Sequence, residues 1–161
     1  MQTIEREHAR ERDQVGRAIG VLGLLGIALV HVLDAGSKLH ETPYMFVLYL
    51  GLMAIALVVA AVLLRTDSRL AWILVTAISA LTFLGYVLTR TTGLPGAMDD
   101  IGNWTEPLGL SSLFIEGCMV LLGIYKVATT PPVHGLPIES KVLRTARVPT
   151  RESVSDPVAR I

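Results

Sequence analysis

Four apolar runs divide the chain: Ala18–Leu33, Tyr44–Leu64, Leu70–Thr89 and Leu108–Val127. The last three have the roughly 20 residues that a helix needs to cross a bilayer. The first reaches that length if Val15 and Gly16 join it and Arg17 snorkels to the interface. The pattern predicts an all-α fold. It is a four-transmembrane-helix bundle (residues 18–127) behind a charged arm (1–17), with a structured extracytoplasmic segment between helices three and four and a disordered tail (128–161). Gly16, Gly20 and Gly23 share one face of the first helix, with Gly26 one step around, and small residues so spaced let helices approach closely in lipid.

The interruptions carry the polar residues. Asp34–Pro43 reads as a connector, closed by a proline placed where a helix start tolerates it. Arg65–Arg69 reads as a tight turn. Arg90–Pro107 is the longest break and holds the turn formers Gly93, Pro95, Gly96 and Gly102. Within it, Asp99 and Asp100 are placed to cap a short helix or turn, and Arg90 to pair with Asp99, Asp100 or Glu106. The arm mixes Glu5, Glu7, Glu11 and Asp13 with Arg6, Arg10, Arg12 and Arg17, which suits a solvated helix with Asp13 and Arg17 attracting at i,i+4. A cleaved leader is not expected, because the arm is long and acidic and no small-x-small site follows. The tail gathers Pro131, Pro132, Pro137, Pro149 and Pro157 and reads as flexible linker, with Thr150, Ser153 and Ser155 in basic context.

Composition sharpens this picture. The chain is 52% hydrophobic and 17% charged with a formal net charge of +0, so no nucleic-acid partner is implied and the lipid bilayer is the expected one. Twelve of the fourteen Lys and Arg fall in the arm, the Arg65–Arg69 turn, and the end of the last run with its tail. Only Lys38 and Arg90 fall on the other side. The positive-inside rule then places both termini in the cytoplasm of a multi-pass plasma-membrane protein. Tyr44, Tyr86 and Trp104 are expected as outer interface anchors, and Trp72 and Tyr125 as inner ones.

Threading the helices this way collects chemistry on the outer side: His31, Asp34, Arg90, Asp99, Asp100, Glu106 and Glu116. Glu116 is the sharpest residue. It sits roughly 12 Å inside the fourth helix, at a depth where a carboxylate costs about 2.5–3.5 kcal/mol. It must be neutral, paired or facing a wet cavity. Ser112, one turn away, can donate to it, and pairing with Arg90 is the structural alternative. His31, Asp34, His40 and Glu41 offer imidazole and carboxylate to a divalent metal, although no cofactor is required by the sequence. Haem held between two histidines has only His31 to use inside the membrane. The lone Cys118 has no disulfide partner and no visible base. There is no Walker loop, CxxC, HExxH or nucleophile elbow.

The stretch RTTGLPGAMDDIGNWTEPLG, with the H-x-x-D and HETPY pieces before it, resembles a largely uncharacterised group of small four-helix integral membrane proteins of actinobacterial type. The resemblance covers about residues 18–127. It implies an integral plasma-membrane protein and carries no activity or site residues with it. The expected function is that of a non-enzymatic accessory or small binding component with an outward polar site, in a homo-oligomer or a larger membrane complex. The alternative is proton or divalent-metal handling by Glu116 with His31 and Asp34. A membrane enzyme subunit is the least supported.

Overall fold

A computed structural model describes residues 2–130, excepting the side chains of Gln2, Thr3 and Ala9. The tail reading for residues 131–161, with Thr150, Ser153 and Ser155, lies outside the described residues. Four long helices make up the described chain: α1 (Gln2–Glu41), α2 (Pro43–Arg65), α3 (Arg69–Thr91) and α4 (Pro107–Thr129). A single 3-10 turn, η1 (Met98–Asp100), interrupts the 90–107 segment. All four helices are long and apolar enough to cross a membrane. Their outward faces expose large apolar side chains such as Leu22, Val47, Leu81, Phe114 and Leu121, a surface suited to lipid rather than water.

The main departure from the sequence reading is α1. Its 40 residues run without a break through the arm, the first apolar run and the stretch read as a connector. At 1.5 Å per residue the helix is about 60 Å long. Nothing between Asp34 and Glu41 stops it: Gly36 lies in open space, and the first proline comes at Pro43. The chain reverses at Thr42, and Pro43 begins α2 at its first position, where its missing N–H is not needed. At the other end of α2, Arg17 Nε donates to Leu63 O at 2.9 Å, and the same guanidinium reaches Leu64 O. Arg17 thus satisfies carbonyls that the helix end leaves open, rather than pairing with Asp13. Ser68 caps α3, its hydroxyl accepting from Ala71 N at 3.1 Å.

The helices alternate in direction, and the core lies along α1. Leu24, Ile27, Leu63, Trp72 and Val75 are fully buried and pack with Val59, Ala60 and Met119. A side chain at Gly16 would meet Lys126, one at Gly23 would meet Met119, and one at Gly26 would touch Ile115. These three glycines therefore seat α4 against α1 in a fixed antiparallel register. Gly20 instead faces Leu63 and Trp72. α1 packs closely on α2 and α3 on α4, whereas α2 and α3 form the sparsest neighbouring pair.

Two glycines test this packing. A Cβ on Gly123 would sit 3.3 Å from the Cα of Thr76, in the α3 backbone, whereas one on Gly85 meets nothing within 4 Å. Gly123→Ala is expected to lower stability by about 1–3 kcal/mol through overpacking. Gly85→Ala is expected to raise it by up to about 1 kcal/mol through helix propensity. Thermal unfolding of both variants in the same detergent checks the opposite signs.

Trp72 corrects the interface-anchor expectation. It is fully buried; its Nε1 donates to Asp67 Oδ1 at 2.5 Å, and Lys126 Nζ stands 5.4 Å from its ring centroid. Tyr86 is half-buried beneath Trp104 and Arg90. Tyr44, Trp104 and Tyr125 are exposed, as an interfacial anchor requires.

Candidate polar cavity

The 90–107 segment is folded by its backbone and tied down by one arginine. Gly93, Gly96 and Gly102 have φ of 74°, 76° and 79°, left-handed conformations that glycine adopts without strain. Gly102 N donates to Arg90 O at 2.9 Å, and Tyr44 OH donates to Pro95 O at 2.7 Å, joining the segment to the start of α2. Arg90 is 6% exposed. Its Nη1 meets Asp100 Oδ1 at 2.6 Å and its Nη2 binds Glu106 Oε2. Its guanidinium also lies 4.9 Å from the Tyr86 ring centroid, a cation–π distance. Asp100 is therefore an ion-pair partner and not a cap, and Asp99 is exposed on the outside of the turn.

Below this tie lies a cavity of about 640 Å³, within the size range of ligand pockets. His31, Asp34, Arg90, Asp100, Glu106 and Glu116 all line it. Of the seven residues singled out for an outward polar site, only Asp99 stays away. α1 contributes His31 and Asp34, α3 Arg90, α4 Glu116, and the segment the remaining two acids.

Glu116 is 1% exposed. Ser112 Oγ donates to its Oε1 at 2.7 Å, as the one-turn spacing predicts. Oε2 is buried with no hydrogen-bond partner among the described residues. Thr82, also on the cavity wall, turns its hydroxyl to the carbonyls of Ile78 and Ser79 at 3.0 and 3.1 Å. Arg90 is committed to Asp100 and Glu106, so the structural alternative of an Arg90–Glu116 pair is not the arrangement present. On α1, His31 Nδ1 lies 2.8 Å from Ile27 O. A carbonyl can only accept, so Nδ1 carries a hydrogen, and whenever the ring is neutral Nε2 is the acceptor. Tyr49 packs edge-on against His31 at 4.8 Å between centroids and donates its hydroxyl to Asp34 Oδ2 at 3.1 Å. Asp34 Oδ1 accepts from Ser37 at 3.1 Å.

The four residues considered for a metal do not gather. On a continuous helix at about 100° per residue, His40 is half a turn away from His31, and it is exposed. Glu41 pairs with Lys38 at 3.1 Å. Among the described residues no group of three or more His, Cys, Asp or Glu side chains could hold a metal ion. The expectation of a metal centre from His31, Asp34, His40 and Glu41 rested on a flexible connector, and the helix removes that freedom.

Two members of the cavity went unseen in the sequence. Lys38, which also reaches Asp100 at 3.8 Å, joins the wall because α1 continues past Asp34 and puts residue i+4 on the same face. Tyr49 looked like one more apolar residue of the second run. Its signal was spacing: a hydroxyl just inside the start of α2 faces the end of α1 across a short reversal.

The opposite end of the bundle has its own buried charge. Lys126 is 3% exposed and meets Asp13 at 2.8 Å and Asp67 at 3.3 Å. One ammonium thus joins α1, the α2–α3 turn and α4.

Fold and site together define a four-helix protein whose helices are long and apolar enough to cross a membrane, with a largely apolar cavity that carries a cluster of ionisable side chains at one end of the bundle. Compared with protein-family models, curated proteins and solved structures, the chain matches none.

Proposed function

We propose that the chain is a plasma-membrane protein with both termini in the cytoplasm, and a non-enzymatic small binding component whose outward-facing cavity takes a ligand. The observation that carries this reading is the convergence of His31, Asp34, Arg90, Asp100, Glu106 and Glu116 on one cavity. Polar residues that merely closed a bundle would pair off and fill their space. Here Arg90, Asp100 and Glu106 do pair, yet the space beneath them is open, and Glu116 on its wall has a buried carboxylate oxygen with no hydrogen-bond partner among the described residues. The twelve-to-two distribution of Lys and Arg supports the orientation. The 90–107 segment then acts as an extracytoplasmic lid hung on Arg90.

A filled cavity tests the binding reading. Gly85 lines the cavity and has open space where its Cβ would stand, so Gly85→Trp is the variant chosen to fill the volume. Protein purified from membranes in mild detergent is expected to carry a small molecule by native mass spectrometry that Gly85→Trp lacks. Identical bound species in both would sink the reading. Orientation is checked in cells on a Cys118→Ala background. Asp99→Cys is expected to react with an impermeant maleimide added outside, and Thr66→Cys to react only after lysis.

A second reading is supported by one observation. Glu116 Oε2 and the His31 ring, both able to carry a proton, share the cavity. In that reading the protein passes protons, and Glu116→Gln abolishes proton flux in reconstituted vesicles while leaving folding intact.

A further inference from the structure

Arg90 Nε and Tyr86 OH, like Glu116 Oε2, are buried with no hydrogen-bond partner among the described residues, but acids outnumber cations in the cavity. Its charged side chains are Asp34, Asp100, Glu106 and Glu116 against Lys38 and Arg90. Arg90 is bound to Asp100 and Glu106, and Lys38 to Glu41 and, at longer range, Asp100. Asp34 and Glu116 are left with hydroxyl partners and no cation within ion-pair distance among the described residues. The acceptors still available are Glu116 Oε2 and His31 Nε2, beside the Asp34 carboxylate. Glu116 is 1% exposed, and Thr82, the hydroxyl beside it, is turned to the carbonyls of Ile78 and Ser79. A buried carboxylate without a partner is costly; taking up a proton relieves that cost, and so does a bound donor that is also a cation.

The other wall is apolar. Leu48, Leu52 and Ile55 of α2 face Ile78 and Leu81 of α3 across the volume. Leu48, Ile55 and Leu81 are also exposed on the outer surface of the bundle, and α2 and α3 are the sparsest neighbouring pair. The cavity therefore opens sideways, between α2 and α3, onto the lipid-facing surface.

We infer that the cavity binds a lipophilic amine, a protonated ammonium on an apolar body, which enters between α2 and α3 and sets its N–H donors against Glu116, Asp34 and His31. This rests on the binding-component reading and specifies its ligand. The apolar body lies along Leu52, Ile55 and Leu81. The ammonium replaces the missing cationic partner of Asp34 and Glu116 and gives each a charge-assisted hydrogen bond. An anion would meet a wall on which acids outnumber cations, and a neutral alcohol would bring one donor and no charge.

Three probes with one apolar cage test it: 1-adamantylamine, 1-adamantanol and 1-adamantanecarboxylate. Each is titrated by calorimetry into the full chain in detergent micelles, with empty micelles as the blank. The amine is expected to bind saturably, about tenfold or more tighter than the alcohol, which is what one charge-assisted contact supplies. The carboxylate is expected not to bind. Glu116→Gln and Asp34→Asn are each expected to weaken the amine by about tenfold, and Gly85→Trp to abolish its binding. The parent series needs no variant, so the test survives a variant that fails to fold. If the alcohol or carboxylate binds as tightly as the amine, the ammonium inference is overturned while the binding-component reading stands. The same holds if no probe binds but the parent carries a molecule that Gly85→Trp lacks. If no probe binds and the two proteins carry identical species, both fall.

Discussion

Arg90→Met is expected to lower the thermal unfolding temperature more than any other single substitution in the outer half, a loss of about 2–3 kcal/mol. Methionine keeps most of the length and apolar bulk, so the change removes the charge and the fork of donors. Two carboxylates are then left against the cavity, Asp100 and Glu106, whose side chains are 23% and 34% exposed. Breaking a fully buried pair costs about 3–5 kcal/mol, and water reaching these partly exposed acids reduces the penalty. The 90–107 segment also loses its side-chain tie, though Tyr44 still holds Pro95. Hydrogen exchange over residues 94–106 should therefore speed up in Arg90→Met while the centre of α2 is unaffected. Arg90→Lys restores charge but not the two-pronged geometry, and should recover only part of the loss. Asp99→Asn, at an exposed position, serves as the control and should change nothing. An unchanged exchange pattern in Arg90→Met would show that the segment holds itself.

Lys126→Met is the counterpart at the other end, with an expected loss of about 1–3 kcal/mol. Asp13 is 62% exposed and can return to water, but Asp67, 23% exposed, keeps only the Trp72 N–H. The effect should reach beyond stability. Asp13 lies in the first half of α1, where Lys126 is its recorded ion-pair partner, so protease sensitivity of the arm should rise in Lys126→Met. A double-mutant cycle with Asp67→Asn isolates the pair, and a coupling of at least about 0.5 kcal/mol is expected for residues sharing one network. Strict additivity would mean that the ammonium is held by packing on Trp72 and the Gly16 face instead.

How much of this was legible in the chain varied by the kind of signal. The four spans follow from length and apolarity, which are properties of a window and survive errors at its edges. The Ser112–Glu116 contact follows from one helical turn, and it is there at 2.7 Å. The fate of Asp34–Glu41 was not legible. Its polar composition resembles a loop, yet a helix can continue through a polar stretch that has a single glycine and no proline. That one difference explains why His40 lies off the site and Lys38 on it. Trp72 was misplaced for a related reason. Its position near a helix end suggested an interface anchor, but burial depends on neighbours in space. Gly20 leaves room for its ring, and Asp67 satisfies its N–H. Lys126 counted in the sequence only as one more cytoplasmic charge, since its partners Asp13 and Asp67 are 113 and 59 residues away.

The glycine register along α1 sets a reading frame for the molecule. Gly16, Gly23 and Gly26 hold α1 to α4 at fixed positions, and the same unbroken helix delivers His31, Asp34 and Lys38 to the cavity. One residue inserted after Gly26 would leave the glycine contacts in place and turn everything beyond by about 100°, carrying those three side chains off the wall together. Insertions and deletions in this span therefore act as frameshifts in three dimensions, and its length is as constrained as its composition.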